Sequence, residues 1–96
     1  MAIAIIAEAP GGDAQLDQQI SSLAGVSPTT PPPGALARLA GPTASGWRVV
    51  SVWESEAAWE AFRRDHLEPA FRQIGRDMPS IQVWSLDTFF TAPQSR

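Results

Sequence analysis

Cysteine, lysine and asparagine are all missing from this 96-residue sequence, and histidine occurs once. Without cysteine there is neither a disulfide framework nor a thiolate metal site; the redox compartment is not constrained from that side, and a reducing cytoplasm is the default expectation. One histidine and scattered carboxylates make no metal-ligand cluster; the Glu56/Glu60 pair reads as the solvated face of a helix. Positive charge is sparse as well. Seven arginines stand against ten acidic residues, for a net charge of −3, and they are spread from Arg38 to Arg96. That is no footprint for a nucleic acid. The opening stretch MAIAIIAEAPGG has no basic residue and is broken by Glu8 and Pro10, so neither a signal peptide nor a membrane span is expected. Phosphate-cradling glycine loops, the dinucleotide fingerprint and the nucleophile elbow are absent too, and no cofactor is expected.

What remains is enough to fold. Apolar residues make up 44% of the chain and charged ones 18%, the balance of a globular domain. One domain over residues 1–90 and a loose tail, TAPQSR, over 91–96 account for the length. A chain this short buries a modest share of its surface, which favours pairing with a second copy.

Residues 2–9, with Ile3, Ile5 and Ile6, read as a largely buried strand stopped by Pro10-Gly11-Gly12. Asp13 can cap a helix whose apolar stripe is Leu16, Ile20 and Leu23, with Gly25 as its left-handed terminator. The prolines of SPTTPPPG (27–34) favour an extended, stiff connector that suits a rim or lid. Residues 35–41 form a second strand, GPTASG (41–46) a turn, and WRVVSVWE (47–54) the third strand. Ser55 can cap a second helix with Trp59, Phe62, His66 and Ala70 facing inward. Pro69 lacks the N–H that would bond Asp65, so a kink or restart belongs at 65–69. The continuation uses Leu67, Phe71 and Ile74 and ends near Gly75, and IQVWSLDTFF (81–90) supplies the last strand.

The order βαββαβ is that of a ferredoxin-like α+β fold, a four-stranded antiparallel sheet with both helices on one face. Alternation in the third strand puts Val50 and Val52 on one side and Trp47, Val49, Ser51 and Trp53 on the other. Read as the uncovered side, the indole-bearing face would be an apolar patch that a homodimer covers.

The run GWRVVSVWESEAAWEAFRRDHLEPAF, above all V-W-E-S-E-A followed by an aromatic-rich helix, resembles the dimeric α+β barrel proteins related to the antibiotic biosynthesis monooxygenases, as do PPPGAL and AGPTASGW before it. The likeness is sharpest over residues 41–66. It implies a homodimer with a ligand cavity between sheet and helices in each subunit. Some relatives oxidise aromatic polyketides without metal or flavin; others bind and degrade haem. The haem-degrading branch uses an Asn on strand one, a Trp ending strand three and a His on the next helix. Trp53 and His66 match two of these by position, but the sequence has no Asn to be the third.

His66 is the one residue of a type that titrates near neutrality, and on an inward stripe it could take a proton from an acidic phenol or enol; structurally, it would be a satisfied core histidine. Glu8 and Asp87 are the next candidate bases. Trp47, Trp53, Trp84 and Phe62 could stack on an aromatic ligand or simply fill core and dimer contacts. Arg38 and Ser51 are strand residues that could reach into a cavity or face water. The expected function is an enzyme acting on a hydrophobic aromatic or polyketide-like molecule, by cofactor-independent oxygenase or by cyclase/isomerase chemistry. A noncatalytic dimeric binding or scaffold protein is the alternative.

Overall fold

Alternation decides the sheet. In β1 (Ile3–Pro10) the odd-numbered residues through Ala9 point to one face and Ala4, Ile6 and Glu8 to the other. The computed structural model describes residues 1–92 and places β1 beside β3 (Gly46–Trp53) at the centre of an antiparallel sheet, ordered β2-β3-β1-β4. The edges are β2 (Ala35–Thr43) and β4 (Ser80–Ser85). Ile3 lies opposite Trp53, Ile5 opposite Ser51 and Ala9 opposite Trp47, so these side chains share a face. Ala4, Ile6 and Glu8 lie opposite Val52, Val50 and Arg48 on the reverse.

The two edge strands depart from their expected bounds for local reasons. Strand β2 runs two residues further, through Pro42, because an edge strand tolerates a missing N–H. Its hairpin closes on Ala44 and Ser45 alone, with the Gly46 N–H donating to the Thr43 hydroxyl at 3.1 Å. Strand β4 stops at Ser85 instead of 90, since its partner β1 begins at Ile3, directly opposite. Only Leu86 reaches further, donating to the Ala2 carbonyl at 3.0 Å. Of the expected tail, 93–96 lie outside the described residues.

Helix α1 (Ala14–Ala24) starts where Asp13 accepts from the Leu16 N–H at 2.9 Å and ends at Gly25, φ 75°. Its inward stripe is Leu16, Ile20 and Ala24, i, i+4 and i+8, with Leu16 half-buried and the other two buried; Leu23, expected inside, is exposed. The second helical stretch is one rod of three parts: α2 (Glu56–Phe62), a π-helical turn at Arg63–Leu67, and α3 (Glu68–Gln73). Ser55 caps it through the Ala58 N–H at 3.1 Å. The expected kink is this widened turn. With no N–H on Pro69 for the Asp65 carbonyl, the rod loosens, and the Glu68 N–H bonds Arg63 five residues back. One additional residue in that turn moves the inward stripe from His66 to Leu67, and His66 is exposed.

Both helices cover the odd-numbered face. One buried cluster joins Ile3, Ile5, Trp53 and Trp59, a second joins Ile20, Ala24, Ala70 and Phe71, and Phe62 and Leu67 touch both. Trp53 is 2% exposed. The indole-bearing side of β3 is therefore the covered side, the reverse of the sequence expectation. The face left uncovered carries Leu39, Val50, Ile6 and Trp84 around Ala4 and Val52, and Leu39 and Trp84 are well exposed.

Candidate binding cavity

The two clusters do not fill the layer between sheet and helices. An inner pocket of about 110 Å³ lies among Ile5, Trp47, Val49, Leu16, Ile20 and Phe71. Beside it an outer pocket of about 440 Å³ runs under the proline-rich connector, against Pro28, Pro31, Pro32, Leu36 and Trp53. Val26, Arg38, Ser51 and Phe62 line both, so the two form adjoining compartments. The outer space alone reaches the few hundred Å³ typical of small-molecule sites.

The rim is held by local chemistry. Ser27 and Thr30 exchange backbone hydrogen bonds at 3.2 and 3.0 Å around Pro28, whose fixed φ suits the second position of a tight turn. The Ser27 hydroxyl braces the same turn through Thr29 and Thr30. At the other end Gly34 takes φ +87° and its carbonyl accepts from Glu54 at 2.8 Å. A Cβ there would stand 2.5 Å from that of Ala58, so only glycine lets the connector lie this close to α2. The connector thus lies at the rim, but it is folded into tight turns at 27–30 and 33–34 and is not the extended run its prolines suggested, because Pro28 suits a turn as well as an extended chain.

Polar groups on the walls are few. The Trp53 indole donates to the Ser51 hydroxyl at 2.9 Å, which leaves the Ser51 O–H free to donate. Arg38 on β2 donates through Nη2 to Asp17 on α1, an ion pair that ties the sheet edge to the helix. Trp47 presents a buried indole N–H with no partner among the described residues. Trp53, Trp59 and Phe62 form the aromatic wall, with centroids 5.3 to 6.4 Å apart and Trp53 edge-on to Trp59.

Of the residues singled out by sequence, Trp47, Ser51, Trp53, Arg38 and Phe62 meet at this cavity. The other four do not. His66 stacks on Phe62 at 6.0 Å and lies one ring away from the walls. Glu8 faces the uncovered side of the sheet and pairs with Arg48. Asp87 is exposed beyond β4, and Trp84 stands on the uncovered face opposite Ala4. Asp17 is the charged wall residue that sequence reading missed. Its signal was position: one residue after Leu16, it flanks the apolar stripe of α1.

Around His66 the surface is a set of solvated ion pairs. Arg64 hydrogen-bonds Asp65 at 2.9 Å and holds its carboxyl below the usual carboxylate range. Arg63 bridges Glu60 and Glu68, Glu60 foremost in raising its guanidinium above the ordinary value. The residues present do not fit the haem arrangement that the resemblance raised: Trp53 is core, Phe62 stands between it and His66, and no Asn exists. Among the described residues no helix is long and apolar enough to cross a membrane.

The sequence matches no protein-family model and no curated protein. Solved structures do match. A protein of unknown function from Nitrosomonas europaea, NE2512, superposes with a TM-score of 0.62 at 20% identity, over 97% of this chain and 94% of its own. A candidate antibiotic biosynthesis monooxygenase from Chloroflexus aurantiacus J-10-fl gives 0.59 at 15% identity, over 99% and 98%. Another from Deinococcus radiodurans gives 0.60 at 14%, over 98% and 100%. At such identities the likeness is one of fold, and it spans 94% or more of each compared structure. The chain has a ferredoxin-like α+β fold, shared with these solved structures, two of which are named as candidate antibiotic biosynthesis monooxygenases.

Proposed function

We propose that this protein takes a hydrophobic, aromatic or polyketide-like small molecule into the cavity between its sheet and helices, and that it does so as a homodimer. The observation that carries this reading is the outer compartment, about 440 Å³ in size, walled by Trp53, Phe62 and three prolines and furnished with only Arg38 and a few hydroxyls as polar handles. Apolar walls with sparse, placed polar groups are what a small-molecule site requires. The uncovered sheet face, with Leu39, Val50, Ile6 and Trp84, supports the homodimer: two such faces packed together remove an apolar patch from water.

The chemistry read from the sequence is cofactor-independent oxygenation, or cyclisation or isomerisation, begun by removal of a proton from the ligand. The neighbours named as candidate monooxygenases support the oxygenase version. A noncatalytic binding dimer is the second reading, and one placement favours it. His66, Glu8 and Asp87 are all off the cavity walls, and the carboxylate that is on them, Asp17, is engaged by Arg38.

A screen of hydroxylated polycyclic aromatics by tryptophan-fluorescence quenching tests the site. Val26 lines both compartments, and Val26→Trp should fill their junction and lower affinity at least tenfold without loss of fold. Unchanged binding in that variant places the ligand elsewhere. Turnover of a bound ligand under oxygen, against none without it, separates the oxygenase from the binding protein.

A further inference from the structure

Among the described residues Arg38 and Asp17 are the sole charged ones on the cavity walls, and they face each other across the boundary between the edge strand β2 and α1. Arg38 borders both compartments; Asp17 borders the inner one alone. The outer compartment therefore meets a guanidinium with no carboxylate of its own. The structure gives that guanidinium one hydrogen-bond partner among the described residues, through Nη2 alone. Its remaining N–H groups form an unused part of a fork that matches a carboxylate in two-point geometry.

From this arrangement we infer that the cavity selects hydrophobic acids: the anionic oxygen group of the ligand takes Arg38, and Asp17 is the resident counter-ion it displaces. The inference rests on the cavity being the ligand site. Exchange is eased at Arg38, whose side chain is 49% exposed, and opposed at Asp17, which is 17% exposed, so the ligand's anion has to offset the loss of a partly sheltered pair. A ligand anion beside apolar walls forms its charge-assisted bonds in a less hydrated setting, where they are stronger. The apolar body then lies against Phe62, Trp53 and the proline rim, and the Ser51 hydroxyl supplies one further donor. A cationic ligand would meet Arg38 with no free carboxylate to offset it.

Three probes of one shape test this by titration calorimetry on the full chain: 2-naphthoate, 2-naphthalenemethanol and 2-naphthylmethylammonium. Wild-type protein should bind the acid about tenfold more tightly than the alcohol, with the cation weakest. Arg38→Met should abolish the preference and leave the alcohol's affinity in place. Asp17→Asn should tighten the acid severalfold and leave the alcohol unchanged, a gain that a merely structural role for the pair would not produce. Should Asp17→Asn fail to fold, salt still tests in wild type whether the preference for the acid is electrostatic. Added salt should weaken the acid and spare the alcohol. Equal binding of acid and alcohol, or a preference that survives Arg38→Met, overturns the selection of acids while leaving the cavity as a site. Binding of none of the three, or binding unaffected by Val26→Trp, overturns the cavity reading as well.

Discussion

Strand β3 belongs to two different environments at once. Toward the helices it presents Trp47, Val49, Ser51 and Trp53; toward the other side it presents Arg48, Val50 and Val52. The first set mixes two indoles with a valine and a serine, and the helices resting on it leave the two compartments unfilled. Apart from Arg48, which pairs with Glu8 at one end, the second set is two β-branched valines, with Ile6 and Leu39 beside Val50. The rings of Trp47 and Trp53 take up the depth that the helix layer provides, whereas Trp84, on the other face, has no such cover and is exposed. Short branched side chains make the flatter surface that another sheet can pack against. On the proposed reading one face holds a ligand and the other meets a second copy.

The sharpest way to break this comparison is to remove a ring from the helix side. Trp59 is 3% exposed and packs on Trp53 and Phe62, so Trp59→Ala should cost about 3–5 kcal/mol in chemical denaturation. A cost under about 1 kcal/mol would mean that this cluster does not hold the layers together. On the opposite face Leu39→Asp should act differently. It should leave the monomer's fold intact while weakening self-association by about a hundredfold or more, read by analytical ultracentrifugation across a concentration series. If wild type is already monomeric at micromolar concentration, the uncovered face is not a self-association surface.

Much of the fold was legible in the sequence because it is written in local signals. Asp13, Gly25 and Ser55 cap as their types require, and alternation in β1 and β3 sets the register. Which side of the sheet the helices cover is a nonlocal fact. Period-two alternation separates two faces and does not say which is covered, so Trp47 and Trp53 could be sorted together yet assigned to the wrong side. The position of His66 failed for another reason. A regular 3.6-residue period carries it inward, but the π-helical turn forced by Pro69 adds a residue and delivers Leu67 instead. Proline marked the place of the irregularity without stating its form. Asp17 was missed because a carboxylate beside an apolar stripe looks like helix surface until a strand supplies its arginine.

The two indoles on the cavity face allow a finer comparison. Trp53 spends its N–H on Ser51, whereas Trp47 buries an N–H with no partner among the described residues. Trp53→Phe should therefore cost about 1–2 kcal/mol, through the lost hydrogen bond and the smaller ring. Trp47→Phe removes an unpaired donor along with some volume, and should cost less than Trp53→Phe or nothing. Thermal melts of the two variants side by side decide it, and the reverse order would mean that the Trp47 indole has a partner in solution.

The smallest effect is expected where the sequence invited the largest. His66 is exposed, flanked by the solvated Arg64–Asp65 pair, and makes its ring contact with the outer side of the Phe62 wall. Replacing such a residue usually changes stability by no more than about 0.5 kcal/mol. His66→Ala should therefore melt close to wild type and bind the aromatic probes with unchanged affinity, because Phe62 keeps its place between Trp53 and Trp59. A general base contributes at least about a hundredfold to turnover, so its loss is easily seen once a reacting ligand is in hand. A rate that falls a hundredfold in His66→Ala, at full affinity and unchanged melting temperature, would show that Phe62 swings aside during reaction and that the histidine enters the cavity in the working enzyme. A rate equal to wild type leaves Asp17 as the carboxylate placed to take a proton, and makes its release from Arg38 by an acidic ligand the event that would free it to do so.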